Sequence, residues 1–138
     1  MKKVLILCTG NSCRSQMAEG WLRFFSNDRI KVYSAGTHPE PVNRYAIKAM
    51  SLVGIDISKN ISNNIDDFKK IEFDFIITVC DNAKERCPIF SHGEAIKIHR
   101  SFSDPALATG TNEEQLNVYI DIRDQLKVFF QDFSNQLL

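Results

Sequence analysis

The positions of apolar residues along the chain predict four short strands. Each predicted strand is a nearly continuous apolar run, and the runs cover residues 4–7, 30–35, 73–79 and 95–98. Runs of this kind, without strict alternation of polar and apolar residues, are typical of parallel strands that are covered on both faces. Polar stretches separate the runs, so each strand has room for a helical connection to the next.

Helical spacing of apolar residues predicts helices at 14–25, 42–53 and 112–133, and shorter helical segments at 65–69 and 81–87. The apolar faces of the three longer helices comprise Met17, Ala18, Trp21, Leu22 and Phe25, then Ala46, Ile47, Ala49, Met50 and Val53, then Leu116, Tyr119, Ile122, Leu126, Phe129 and Phe133. Alternating strands and helices predict an α/β fold, a three-layer αβα arrangement with a four-stranded parallel sheet. We expect the last helix to pack on the sheet, with a dimerisation seam as the alternative.

Composition narrows the possible functions without naming one. The chain has 138 residues, a size that suits a single domain over residues 1–138, and its formal net charge is zero. We therefore expect a monomer that binds neither nucleic acid nor a membrane. No apolar stretch approaches the length of a membrane span or a signal sequence, which favours the cytoplasm. Four cysteines in a reducing compartment indicate catalysis or metal binding before structural disulfides.

A cysteine and an arginine bracket a polar loop between the first predicted strand and the first predicted helix. The loop begins at Cys8, ends at Arg14, and contains Thr9, Gly10, Asn11, Ser12 and Cys13. A helix N-terminus leaves backbone N–H groups unpaired and carries positive potential, so a tight loop there can bind a tetrahedral oxyanion. Gly10 and Asn11 are suited to the left-handed backbone that such a loop needs. The Gly-Lys-Ser/Thr ending of a nucleotide-binding loop is absent.

The same loop predicts a reactive thiol. Backbone N–H groups and Arg14 would favour the thiolate of Cys8, which is the nucleophilic form, and the hydroxyl of Ser15 is placed to add a hydrogen bond to it. Arg14 would also donate two hydrogen bonds to the bound oxyanion. The alternative is that Cys8 is merely a buried cysteine at a strand end. We interpret Cys13, which has no evident partner in the sequence, as a packing residue.

These residues carry a family resemblance. The segment from Cys8 to Gly20 resembles the signature of low-molecular-weight tyrosine phosphatases, and it resembles still more closely their relatives, the thioredoxin-coupled arsenate reductases. Tyr33-Ser34-Ala35-Gly36 matches the same family at the second strand, and the resemblance continues through Asp104-Pro105. It implies a four-stranded parallel sheet flanked by helices, in agreement with the pattern above. It also implies that Asp104 is the general acid that protonates the leaving oxygen.

Cys80 and Cys87 distinguish between the two relatives. A phosphatase needs one nucleophile and water, whereas a reductase must supply two electrons and therefore needs further thiols. Cys80 follows the third predicted strand, at the sheet edge where the anion loop also lies. The resemblance implies a relay that forms a transient Cys8–Cys80 disulfide and then Cys80–Cys87, which thioredoxin reduces. Arsenate would be the substrate, and phosphate or sulfate would compete for the loop.

The spacing of the second and third thiols predicts a conformational change. Seven residues of helix separate Cα atoms by roughly 10 Å, whereas a disulfide needs them within about 7 Å. If residues 81–87 are helical in the reduced protein, the Cys80–Cys87 bond requires that segment to unwind. We therefore expect a redox-driven order change between Asp81 and Arg86.

Three other interpretations remain open. A zinc site is disfavoured because the cysteine spacings are not those of ligand pairs, and no cofactor or metal is expected. A phosphatase that hydrolyses phosphomonoesters through a phosphorylated Cys8 is the main alternative, although Ala106-Leu107 stands where the family's tyrosine phosphatases carry aromatic residues. Some weak phosphatase activity is expected in either case. A non-catalytic oxyanion-binding or redox-sensing module would need Arg14 but not Asp104.

The remaining polar residues carry weaker predictions. We interpret His38, His92 and His99 as ordinary surface residues or as residues with satisfied hydrogen bonds. Family members that bind a monovalent cation use residues that match Asn11, Glu19 and Ser34, together with an aspartate. This chain has Asn63 at the aspartate position, so no cation site is predicted.

Overall fold

A computed structural model describes residues 1–81 and 94–138 of the chain. Its strands are β1 (Lys2–Cys8), β2 (Ile30–Gly36), β3 (Phe75–Thr78) and β4 (Ile96–His99). They form one parallel sheet in the order β2-β1-β3-β4. The four strands and the parallel sheet predicted from the apolar runs are confirmed, with β3 shorter at both ends than the apolar run around it.

The central strand β1 is buried on both faces. Val4, Leu5 and Ile6 are each 0% exposed, and successive side chains of a strand point to opposite faces. Parallel pairing brings the carboxyl ends of the strands to one edge. There Cys8 pairs with Gly36 of β2, and on the other side of β1 the end of β3 pairs Thr78 with His99 of β4. This edge is where the candidate site lies.

The first two helices follow the predicted boundaries to different degrees. Helix α1 (Arg14–Ser26) starts where the sequence pattern places it and ends one residue later. Helix α2 (Arg44–Ser51) is shorter than predicted, because the side chain of Asn43 caps its N-terminus by accepting from the backbone N–H groups of Tyr45 and Ala46. Val53, expected on its buried face, is 39% exposed, so that part of the prediction is wrong.

The final helix, α3 (Asn112–Leu137), is longer than predicted and begins with a capping box formed by Thr111 and Glu114. Its apolar stripe is covered mainly by α1 and α2, while the Phe133 ring meets Phe75 of β3 edge to face. Phe129, which the predicted stripe includes, is half-buried, whereas its neighbour Phe130, which the predicted stripe leaves out, is 0% exposed.

In the described part of the chain, short 3₁₀ turns occur at Ile65–Phe68 and Pro105–Leu107. The predicted helical segment at 81–87, with Cys87, Pro88 and His92, lies outside the described residues except for Asp81. No helix among the described residues is long and apolar enough to cross a membrane.

Candidate active site

The loop between β1 and α1 has the local geometry of an oxyanion cradle. Cys13 occupies the N-cap position of α1 and makes no side-chain capping hydrogen bond, so the first N–H groups of the helix have no side-chain cap. Asn11 adopts the predicted left-handed backbone, with φ at 47°. Gly10 does not, so its role as a second left-handed residue is a wrong prediction.

The side chain of Asn11 holds the loop in shape through hydrogen bonds. Its amide nitrogen donates to the hydroxyls of Ser15 at 2.8 Å and Ser34 at 2.9 Å. Its side-chain oxygen Oδ1 accepts from the backbone N–H of Asn63 at 2.8 Å. Because Ser15 accepts from Asn11, the hydroxyl proton of Ser15 remains to be donated elsewhere, and its predicted hydrogen bond to Cys8 stays a prediction.

Gly36, at the end of β2, lies directly against the loop. A Cβ atom at this position would come 2.4 Å from the carbonyl oxygen of Thr9 and 2.8 Å from the backbone nitrogen of Asn11. Both atoms belong to the backbone and cannot rotate away, so the loop keeps its path only beside a glycine.

We expect Gly36→Ala to lower the free energy of unfolding by about 1–3 kcal/mol, because the loop must shift to admit the methyl group. We also expect weaker binding of inorganic phosphate, measured by calorimetry beside a thermal melt. Gly10→Ala is the comparison: the nearest atom to its added Cβ is the rotatable Ser12 Oγ at 3.3 Å. Equal stability and phosphate affinity in Gly36→Ala and the unaltered protein would contradict this account.

The loop opens into a cavity of about 180 Å³ at the carboxyl edge of the sheet. The residues that line it are Cys8, Thr9, Gly10, Ser12, Cys13, Arg14, His38, Glu40, Asp104 and Ala106. His38 and Glu40 were not singled out for this site from the sequence. They are brought there because the backbone N–H groups of these two residues donate to the carbonyl oxygens of Thr9 and Gly10 at 2.9 and 2.8 Å. No local signal in the sequence predicts that pairing.

Arg14 connects the anion loop to the segment that carries the predicted acid. Its Nη1 donates to the carbonyl oxygen of Phe102 at 3.0 Å, and its Nη2 lies 3.6 Å from Asp104 Oδ2. Burial opposes the charge of Arg14, but the nearby acidic groups, Cys8 first and Asp104 next, raise its pKa overall and keep it protonated. Within residues 1–81 and 94–138, Arg14 Nε is a buried nitrogen without a hydrogen-bond partner, and so it is available to an oxyanion oxygen.

We expect Arg14→Lys to weaken the binding of inorganic phosphate by on the order of 10- to 100-fold, because an ammonium group cannot replace the two-nitrogen fork. Titration calorimetry with phosphate measures the change. Arg123→Lys is a matched control: Arg123 is equally buried, but its Nη1 donates to the carbonyl oxygen of Ala49, away from the cavity. A similar loss of phosphate affinity in both variants would mean that Arg14 acts only through stability.

Asp104 lies at the cavity opposite the loop. Its Oδ1 accepts from the backbone N–H of Ala106 at 3.0 Å, which caps the Pro105–Leu107 turn, and the thiol of Cys13 donates to the same oxygen over 3.9 Å. Burial, together with the Asp104 charge, raises the pKa of Cys13 and keeps that thiol protonated. The structure thus brings Cys8, Arg14 and Asp104 to one cavity.

A second thiol meets Cys8 from the neighbouring strand. Cys80 follows β3 and hydrogen-bonds with Cys8, and its Sγ lies 3.4 Å from the hydroxyl oxygen of Thr9. Both sulfur atoms belong to buried residues. The hydrogen bond in which protonated Cys8 donates to Cys80 raises the pKa of Cys8, and burial raises it further, while the charge of Arg14 lowers it; the net direction is upward.

The residues that match a cation site form a closed hydrogen-bond network. The Ser34 hydroxyl donates to Glu19 Oε1 at 3.0 Å, Asn60 donates to Glu19 Oε2 at 2.8 Å, and the Asn63 amide donates to the carbonyl oxygen of Ser34 at 3.1 Å. Burial raises the pKa of Glu19. Each of these three oxygens thus accepts a hydrogen bond within the protein, and Asn63 contributes an amide where the cation-binding members have a carboxylate.

Comparison with known proteins shows the family to which the chain belongs. The model of the family described as low molecular weight phosphotyrosine protein phosphatase matches residues 3–136. The chain belongs to this family. Within it, an arsenate reductase of Halalkalibacterium halodurans is 44% identical over 133 residues, which cover 96% of this chain and 95% of that relative. The resemblance stated from the residues is confirmed.

Solved structures agree with the fold. One described as an arsenate reductase in oxidized state has a TM-score of 0.86, and one described as an arsenate reductase in the phosphate binding state has a TM-score of 0.77. Each is 30% identical in sequence and covers 100% of both chains. The predicted α/β fold is therefore confirmed, while the roles of individual side chains stay predictions.

Proposed function

We propose that this member of the family reduces arsenate to arsenite through a relay of Cys8, Cys80 and Cys87, with thioredoxin as the reductant. One observation carries the proposal: a second thiol, Cys80, hydrogen-bonds with Cys8 and also contacts Thr9 of the loop, from which it is separated by 71 residues of sequence. A hydrolytic enzyme has no use for that second thiol. The named relatives add support, since they are arsenate reductases matched over nearly the whole chain.

The first step is addition of arsenate to the thiolate of Cys8. The loop N–H groups and Arg14 bind the oxyanion oxygens, so the sulfur beneath them attacks arsenic and a Cys8 S–As bond forms. Asp104 protonates the departing oxygen, which leaves as water. Arg14, 3.6 Å from Asp104, orients that carboxyl group as well as the oxyanion.

Two thiol exchanges complete the reduction. The Cys80 thiolate attacks the sulfur of Cys8; the S–As bond breaks, its electron pair goes to arsenic, and arsenite leaves as Cys8–Cys80 forms. Cys87 then attacks the sulfur of Cys80, which frees Cys8 as a thiolate and leaves Cys80–Cys87. The dithiol of thioredoxin reduces this second disulfide by the same kind of exchange. The monomer is expected to work in a cytoplasmic, reducing environment.

The shape of the cavity favours a small oxyanion over an aryl phosphate. Ala106 stands at the rim where an aromatic wall would hold a phenyl ring, and Leu107 beside it is 78% exposed. Among the described residues that line the cavity, none is Phe, Tyr or Trp. Arsenate fits such a site, and phosphate and sulfate, which are tetrahedral too, are expected to compete.

Phosphomonoester hydrolysis is the second candidate. The convergence of Cys8, Arg14 and Asp104 on one cavity serves that reaction equally well, through a phosphorylated Cys8 that water hydrolyses. The family match favours it, and weak residual phosphatase activity is compatible with the reductase.

The deciding experiment measures both activities in one preparation of the full chain. Arsenite formation is followed with thioredoxin, thioredoxin reductase and NADPH, and hydrolysis is followed with para-nitrophenyl phosphate. We expect many arsenite molecules per enzyme molecule, competitive inhibition by phosphate, and slow hydrolysis. Hydrolysis without arsenite formation would reject the reductase in favour of the phosphatase, and binding of phosphate without either reaction would support a non-catalytic module.

A further inference from the structure

We infer that His99 is a positioning residue that holds Asp81 to the end of β3 and thereby keeps the Cys80 thiol against Cys8. We call the group formed by Thr78, His99 and Asp81 the histidine clasp. The inference rests on the proposed relay, because it assigns to the clasp an effect on the two thiol exchanges of that relay.

The parallel sheet places the clasp beside Cys80. Thr78 and His99 are register partners on β3 and β4, so their side chains project to the same face of the sheet. Thr78 Oγ1 lies 2.7 Å from His99 Nδ1, and Asp81 Oδ1 lies 2.9 Å from His99 Nε2. A carboxylate only accepts hydrogen bonds, so Nε2 must carry a proton, and in neutral histidine Nδ1 then accepts from the threonine hydroxyl. The imidazole is thereby fixed in one orientation.

The residues on both sides of Cys80, Val79 and Asp81, are held by hydrogen bonds. On its N-terminal side, the backbone N–H of Val79 donates to the carbonyl oxygen of Leu7 at 2.9 Å, and the carbonyl oxygen of Val79 accepts from the N–H of Phe102 at 3.0 Å. On its C-terminal side, Asp81 is held by His99. A residue held on both sides keeps its side chain in one place, and here that place is beside Cys8 and Thr9.

The contact of His99 with Asp81 contributes little to global stability because the carboxylate of Asp81 is exposed. The side chain of Asp81 is 76% exposed and that of His99 is 24% exposed, and exposed ion pairs or hydrogen bonds add little to the free energy of unfolding. Its effect is therefore expected in the rates of thiol exchange, where orientation of the attacking sulfur matters.

The two exchanges make opposite demands on Asp81. Attack of Cys80 on the Cys8–arsenic adduct needs Cys80 where the clasp holds it. Formation of Cys80–Cys87 needs the chain after Cys80 to bring the two cysteine Cα atoms within about 7 Å, which a fixed Asp81 resists. Loss of the clasp should slow the first exchange and speed the second, whereas general damage to the fold would slow both.

Two histidine variants separate the two hydrogen bonds. In His99→Asn the amide reaches roughly the position of Nδ1 and keeps the Thr78 contact; in His99→Gln it reaches the position of Nε2 and keeps the Asp81 contact. Each is measured in a single turnover of arsenate without thioredoxin, with thiols alkylated at intervals and disulfides mapped by mass spectrometry. A Cys87→Ser background isolates the Cys8–Cys80 bond.

We expect His99→Asn to slow formation of Cys8–Cys80 by about three- to tenfold, the effect of one hydrogen bond, and to speed its conversion to Cys80–Cys87. His99→Gln should recover most of the first rate. Asp81→Ala should reproduce His99→Asn, and the double variant should add nothing further. Asp132→Ala, which removes an exposed aspartate of α3, serves as the control and should leave both rates unchanged.

Phosphate affinity should be unaltered in all these variants, because the clasp does not line the cavity. If wild type forms arsenite and both exchange rates are unchanged in His99→Asn and Asp81→Ala, or both fall together, the clasp is rejected and the relay stands. If wild type forms no arsenite, the proposed function itself fails.

Discussion

Replacement of Cys8 with serine is expected to abolish arsenate turnover, by on the order of 10⁴-fold or more. A serine hydroxyl is a far weaker acid and a poorer nucleophile than a thiol, and serine cannot form the disulfide that releases arsenite. Both the reductase and the phosphatase reactions begin with this sulfur, so para-nitrophenyl phosphate hydrolysis should fall as well. The measurement is steady-state arsenite release with the thioredoxin system.

The loop itself should survive the change from sulfur to oxygen. The contacts that shape it come from Asn11 and Gly36, not from Cys8, so Cys8→Ser is expected to bind phosphate within about threefold of wild type. Retained phosphate binding with lost turnover locates the defect in the chemistry. Appreciable arsenite formation by Cys8→Ser would remove Cys8 from the mechanism altogether.

Cys80→Ser should separate the reductase from the phosphatase. Cys8 would still attack arsenate, but no thiol would stand at hydrogen-bonding distance to displace arsenite, so multiple turnover with thioredoxin is expected to fall by roughly 10³-fold. Hydrolysis of para-nitrophenyl phosphate needs only Cys8, Arg14 and Asp104, and it should stay within about threefold of wild type.

The two activities together make the result of Cys80→Ser interpretable. Loss of arsenite release with retained hydrolysis is the expected outcome, and it excludes misfolding as the cause. A variant that keeps wild-type arsenite release with thioredoxin would mean that the second thiol of the relay is another residue. Equal loss of both activities would point to a role of Cys80 in shaping the loop through Thr9.

Local sequence was sufficient for the anion loop because every part of that loop is consecutive in the chain. A buried strand that ends at Cys8 and a helix that begins at Arg14 are both visible as apolar patterns, and the loop between them follows from chain connectivity. The left-handed residue was correctly expected at Asn11 and wrongly at Gly10, because residue type shows which backbone angles are allowed but not which are used.

Helix faces were predicted less well where neighbouring residues are alike. Phe129 and Phe130 are adjacent aromatic residues of α3, and an apolar stripe at helical spacing can include either one. The packing of α3 across α1 and α2 buries Phe130 completely and leaves Phe129 half-buried. Val53 was predicted to be buried because its spacing continues the apolar face of α2. The helix ends at Ser51, before that residue.

The sequence by itself determined the α/β fold, the Cys8–Arg14 loop and the set of thiols available to it. The family resemblance and the strand pattern pointed to Asp104 and Cys80 as neighbours of that loop, but only the tertiary structure decided the contacts around it. It placed Arg14 against Phe102 and Asp104, brought Cys80 to Cys8, drew Glu40 and His38 into the cavity wall, and turned His99 from an ordinary histidine into the centre of a clasp. The physical reason is that these partners are distant in the chain, and their meeting depends on the order and register of the parallel strands. Spacing in one sequence carries no record of that register.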